Sequence, residues 1–150
     1  MSNQIVRTPV DFIYAVEQRF GTITWDLAAN SDNCQVNDDR EAYFGPESKH
    51  GENAFLQEWQ GLGGLAWLNP PFADIEPWAR KCAESFMKYR QRIALLIPAG
   101  VCTNYVIDYV KPFAYVFECT PRPFKKEVRD VILALYEPSH YVGRETWRWR

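Results

Sequence analysis

The sequence predicts an α/β protein, an open and mostly parallel sheet with helices on both faces. Three observations predict it. Strand-like and helix-like stretches alternate along the chain, the order that builds a sheet with crossover helices. "RIALLIP" (92–98) is apolar without a break, as a strand covered on both faces must be. Three strand candidates end at Asp26, Asn69 and Pro98, and ligands of such sheets lie outside the carboxyl ends of the strands. The length of 150 residues predicts one domain, 1–150, with enough chain for a core.

Taken in order, Thr8-Pro9 followed by "VDFIYAVEQRFG" predicts a short amphipathic helix. Thr8 is a candidate cap, Pro9 suits the first helical position and Gly21 closes the helix. "TITWDLAAN" (22–30) leads β-branched and aromatic residues to Asp26, a strand with an acid at its end. Residues 30–52 are polar and predict a long loop with at most one turn of helix; loops of that length are usually functional or mobile. "NAFLQEW" (53–59) predicts a short helix or turn ahead of the Gly-rich hinge at 61–64. "GLAWL" (64–68) reads as a buried strand, stopped by Pro70 and Pro71, which cannot donate ladder hydrogen bonds. "IEPWARKCAESFMKYRQ" (75–91) carries Trp78, Cys82, Ser85, Phe86 and Tyr89 at helical spacing. "TNYVIDYV" (103–110) fits another helix, and "AYVFE" (114–118) and "DVILALYE" (130–137) fit two more strands.

Composition narrows the function classes. Apolar residues at 47% and charged ones at 24% are ordinary globular usage, while aromatics reach 15% with six Trp. A formal charge of −2 leaves no overall basic footprint of a nucleic-acid binder. Charge is uneven, however: residues 119–150 hold seven Lys/Arg against four Asp/Glu, a net +3. Their last stretch, "RETWRWR", interleaves cations with two Trp, which suits either a solvated end or contact with phosphates and bases. Trp59, Trp67 and Trp78 are expected in the core. The four cysteines include no CxxC pair, and His50 and His140 stand alone, so neither a metal site nor a disulfide framework is expected. No N-terminal apolar segment and no long apolar run is present, which predicts a soluble, intracellular chain without a membrane span.

"LNPPF" (68–72) carries the chemistry. An Asn oxygen and a main-chain carbonyl can together accept both hydrogens of an exocyclic amine. The prolines fix φ and so aim the carbonyls around them. Phe72 offers a flat face on which a planar heterocycle can stack. Amine plus planar ring describes adenine or, less closely, a carboxamide. Two acceptors would hold the amine's lone pair toward an electrophile and steady the positive charge as it forms, with no general base required. Ending a strand is all that such prolines do in many proteins; the aromatic ring and the rim position favour the chemical reading.

The same residues carry a family resemblance. "LNPPF" resembles motif IV, usually (D/N/S)PP(Y/F), of S-adenosylmethionine-dependent amino-methyltransferases that act on adenine. The order "TP", "FG", strand, "DLAAN", long loop, "NAFLQEW", "LNPPF", helix, "ALLIPA" is similar to that of the phage-type DNA N6-adenine methyltransferase (Dam) family, from Thr8 to about Tyr136. The resemblance implies a Rossmann-like methyltransferase fold, S-adenosylmethionine as cofactor, DNA as partner, and work in the cytoplasm of a host cell, where methylation protects phage DNA from restriction. Carried over, Asn69, Pro70, Pro71 and Phe72 form the catalytic amine clamp and stacking face. Thr8 and Pro9 resemble the N-terminal motif near the methionine end of the cofactor. Asp26, with Ala28 and Ala29 behind it, resembles the end of the first strand, where the family binds that cofactor; Asn53 stands where an acid would accept from its adenine. Two departures are visible: no glycine-rich cofactor loop, and Asn53-Ala54-Phe55 where Asp-Gly-Leu is common.

The expected activity is transfer of a methyl group from S-adenosylmethionine to the N6 amine of an adenine flipped out of duplex DNA. With no separate recognition domain apparent, a short or lax target site is expected. The 30–52 loop and the basic residues Arg122, Lys125, Lys126 and Arg129 would contact DNA. The alternatives are a methyltransferase acting on RNA or a protein glutamine, and a non-catalytic relic of the fold that binds DNA or protein.

Overall fold

The structure, a computed structural model, describes residues 7–100, 102–124 and 129–150. Helix α1 (Val10–Phe20) turns Phe12, Ile13, Val16 and Phe20 inward and stops at Gly21, whose φ of 108° suits glycine and whose N–H returns to the Glu17 carbonyl. Pro9, rather than Thr8, is its N-cap, and no side chain caps it. Strand β1 (Trp25–Asp26) is far shorter than the apolar run suggested. Strand β2 (Ala66–Leu68) is buried throughout and ends where Asn69 and the prolines begin. Helix α2 (Glu76–Tyr89) has proline in its first turn and ends at Arg90 in a left-handed conformation. Then follow β3 (Ile93–Pro98), the short α3 (Asn104–Tyr109), β4 (Tyr115–Thr120), β5 (Val131–Tyr136) and β6 (Gly143–Arg148).

These strands form one sheet in the order β1-β2-β3-β5-β4-β6. β1, β2 and β3 run parallel, as do β4 and β6, but β5 lies antiparallel between β3 and β4. The sheet is therefore mixed: five strands share one direction, as a mostly parallel sheet would have them, and β5 alone runs against them. Sequence could not show this. "VILALY" is buried at every position, as a central strand of either sense would be.

Two cores flank the sheet. α1 packs with Trp67, Leu96, Phe117, Leu133 and Trp147 on one face; α2 and α3 pack with Leu68, Leu95, Ile97, Ile132 and Tyr136 on the other. Helices thus cover both faces, as expected. β6 was not foreseen, because five of its six residues are exposed and only Trp147 points into the core. Trp147 packs on Phe12, Phe20 and Phe117, and Trp149 meets Phe12 edge-on at 5.1 Å. The two tail tryptophans anchor an edge strand to α1.

The 30–52 segment is also more ordered than a polar loop suggests. It contains no helical turn, and it buries Cys34, Val36, Ala42, Tyr43 and Phe44. Asp26 N–H donates to the Ala42 carbonyl and Phe44 N–H to that of Asp26, so residues 42–44 cover the open edge of β1. Next to them Gly45 sits at φ 148°, where an added Cβ would lie 1.8 Å from the Ala29 carbonyl oxygen. Gly45→Ala is expected to destabilise the fold by about 2–3 kcal/mol, through backbone strain and overpacking. Urea unfolding should show the loss as a lower midpoint at unchanged slope.

Candidate active site

Because β1, β2 and β3 are parallel and adjacent, their carboxyl ends share one rim, and Asp26, Asn69 and Pro98 stand along it as anticipated. The chain before α1 crosses this rim. It places Thr8 against Asn69, whose Nδ2 donates to Thr8 Oγ1 at 3.0 Å. Thr8, Asp26, Ala28 and Asn69 line one polar pocket of about 20 Å³ together with Arg7, Asn33, Gln35 and Trp67. A larger cleft of about 190 Å³ adjoins it between α1 and the 33–40 loop, sharing Arg7, Thr8, Asn33 and Gln35 and adding Glu17 and Arg40.

Asp26 organises the loop behind the pocket. One carboxylate oxygen accepts from Ala28 N–H at 3.2 Å and the other from Gln35 N–H at 3.0 Å. The side chain is 2% exposed. Burial pushes its pKa up from 3.8 to about 7, against the opposing pull of the Gln35 and Ala28 N–H groups and of the Arg40 charge. Arg7 and Arg40 both donate to the Asp32 carbonyl, which holds two guanidiniums at the same cleft. A carboxyl group thus shares this rim with cations, a hydroxyl and three amide side chains.

The other anticipated residues fall outside this pocket. Pro70 is buried, and Pro71 and Phe72 are half-buried, with Phe72 packed on the core under α2. Pro9 caps α1. Ala29 is buried beside Gly45, so its small side chain serves a close approach of two chain segments. Asn53 is exposed, and its Oδ1 accepts from Phe55 N–H at 3.0 Å, capping a 3₁₀ turn over Ala54–Leu56. Trp59 and Trp67 are core residues, and Trp78 is half-buried against Trp59 and Phe55. Arg122 is exposed and paired with Asp130 at 2.7 Å, Arg129 is exposed, and Lys125 and Lys126 lie outside the described residues. Sequence reasoning did not single out Arg7, Asn33, Gln35 or Arg40; the unusual length of the loop was the one signal pointing to three of them.

Residues 2–116 match the family described as DNA N-6-adenine-methyltransferase (Dam). The chain belongs to the Dam family. The resemblance read from "TP", "DLAAN" and "LNPPF" is therefore borne out. A protein of Escherichia phage T1 described as a DNA N-6-adenine-methyltransferase is 29% identical over 101 residues. That match covers 67% of this chain and 38% of the phage protein. Thr8, Asp26, Ala28, Asn53 and Asn69–Phe72 all fall inside the Dam match, whereas Arg122, Arg129, β5 and β6 fall beyond it. Among the described residues no group of three or more His, Cys, Asp or Glu could hold a metal ion, and no helix is long and apolar enough to cross a membrane.

Proposed function

We propose that this protein is an S-adenosylmethionine-dependent DNA methyltransferase that acts on the N6 amine of adenine, built as one Rossmann-like domain. The observation that carries the reading is the meeting of Asn69 and Thr8 beside Asp26 at the carboxyl ends of β1 and β2. The donor set fits an amino-acid head group. Asp26 answers an ammonium, and Arg7 and Arg40 answer a carboxylate, all at the rim of two adjoining cavities. Thr8, Asp26 and Ala28 would hold that end of the cofactor, and Asn53 retains one lone pair on Oδ1 for an adenine amine. When bound, S-adenosylmethionine supplies an electrophilic methyl group on a sulfonium sulfur.

The protein's own part is to hold the acceptor amine. Among the described residues Oδ1 of Asn69 has no hydrogen-bond partner, so it is available to accept one amine hydrogen while a carbonyl of the Pro70-Pro71 segment accepts the other. That pair would hold the nitrogen lone pair toward the methyl carbon and stabilise the positive charge on nitrogen as the N–C bond forms and the methyl–sulfur bond breaks, its electron pair staying on the departing thioether; a proton would then leave the nitrogen to water. Phe72 would stack on a flipped base after a modest side-chain movement. DNA phosphates would follow the 30–52 loop and the exposed basic residues around Arg122 and Arg129, with Lys125 and Lys126 between them in sequence. The target site is expected to be short or relaxed, and the reaction to take place in the cytoplasm of a phage-infected cell.

Unmodified DNA, RNA and a protein pool, each offered with methyl-labelled S-adenosylmethionine, test the proposal. Label should enter DNA, and nucleoside analysis should find N6-methyladenine. Label in RNA or in glutamine side chains alone would overturn it, and a calorimetric titration showing no cofactor binding would mark a relic.

A further inference from the structure

Thr8 is 4% exposed and stands one residue before Pro9, the N-cap of α1, and it makes no cap bond. Among the described residues its side chain has one hydrogen bond, to the Nδ2 of Asn69, 61 positions away in sequence. An amide side chain has two unlike ends, and a half-turn about its last bond exchanges donor for acceptor. An amine clamp built on asparagine therefore needs something to hold the right end outward. Turned the wrong way, Asn69 would set N–H against N–H and repel the amine it should hold.

We infer that Thr8 is a positioning residue for Asn69: the bond from Nδ2 to its hydroxyl oxygen fixes the amide at the rim, in the arrangement that leaves Oδ1 for the acceptor amine. The inference rests on the proposed methyl transfer to an amine, and it assigns Thr8 a role separate from contact with the cofactor. Were residue 69 a carboxylate, both ends would accept, and the need for Thr8 would largely vanish.

The full-length protein tests this in two ways. The first is amide NMR of the Asn69 side chain. Its Nδ2 hydrogens should be shifted and slow to exchange in the wild type and in Thr8→Ser, and lose both features in Thr8→Val. Unmoved signals in Thr8→Val would overturn the inference, and no turnover is needed to see them. The second is single-turnover methylation of DNA. Thr8→Val should be slower by about tenfold, the worth of one hydrogen bond, and Thr8→Ser should return to within about twofold of the wild type. Combined with Asn69→Asp, the valine change should cost less than about twofold relative to Asn69→Asp alone. An equal penalty in both backgrounds would mean that Thr8 acts some other way; should Asn69→Asp itself be inactive, the amide spectrum decides. Wild-type protein that methylates no DNA would instead strike at the proposed function, leaving the amide result standing.

Discussion

Asn69→Ala is expected to bind S-adenosylmethionine nearly as well as the wild type and to methylate DNA roughly a thousandfold more slowly, the scale of losing one preorganised polar group aimed at developing charge. Asn69 sits on the rim rather than in the core, and it is half-exposed, so its truncation leaves β2 and the fold intact. Water can satisfy the Thr8 hydroxyl that loses its partner. What cannot be replaced is Oδ1, the fixed acceptor beside the prolines. Single-turnover rates and calorimetric cofactor affinities, measured on the same preparation, separate the two effects. Equal losses in rate and affinity would show that Asn69 holds the cofactor rather than the acceptor amine.

Much of the fold was legible because strong local signals coincide with the tertiary ones. Pro9 and Gly21 bracket α1, Pro77 opens α2, and the unbroken apolar run of β3 lies between two neighbours as such a run should. What was illegible depends on partners rather than on pattern. β5 runs against both its neighbours, and its side chains read the same either way up. β6 is a strand only because Trp147 finds Phe12, Phe20 and Phe117 beneath it; its charged neighbours are the usual protection of an exposed edge.

The site divides in the same manner. Asn69 and Asp26 were legible from position alone, as polar residues at the ends of apolar strands. Thr8 was read as a helix cap, because helix starts place hydroxyls there for that purpose, and sequence holds no sign that a residue 61 positions on would claim the hydroxyl. Arg7 and Arg40 come together only because the loop after Asp26 folds back to pair Tyr43 with β1. Asn53 shows the converse: a residue that matches a family pattern by place in the chain also has a local structural duty, as the cap of a 3₁₀ turn.

Asp26 leads to the second large effect, a dependence on pH. Its pKa stands at about 7 in the folded protein against 3.8 in the ordinary carboxyl, chiefly because the group is buried. Below about pH 4 the carboxyl is protonated whether the chain is folded or not. As the pH rises from 4 to 7 the unfolded chain gives up this proton while the folded one keeps it, so stability falls across that window; above 7 both states are ionised and the slope disappears. The loss is of the order of 4 kcal/mol. Urea unfolding at a series of pH values should show it, and Asp26→Asn, uncharged throughout, should flatten that part of the profile; identical profiles would mean that Asp26 ionises freely in the folded state. The same proton bears on the cofactor. An ammonium group beside Asp26 favours the carboxylate, so binding below neutrality must expel a proton, and affinity should rise by up to about tenfold per pH unit until about pH 7. Calorimetry in buffers of different ionisation enthalpy counts that proton directly. Its absence at pH 6 would place the cofactor's ammonium away from Asp26, leaving the carboxyl with the loop-bracing role that its bonds to Ala28 and Gln35 already give it.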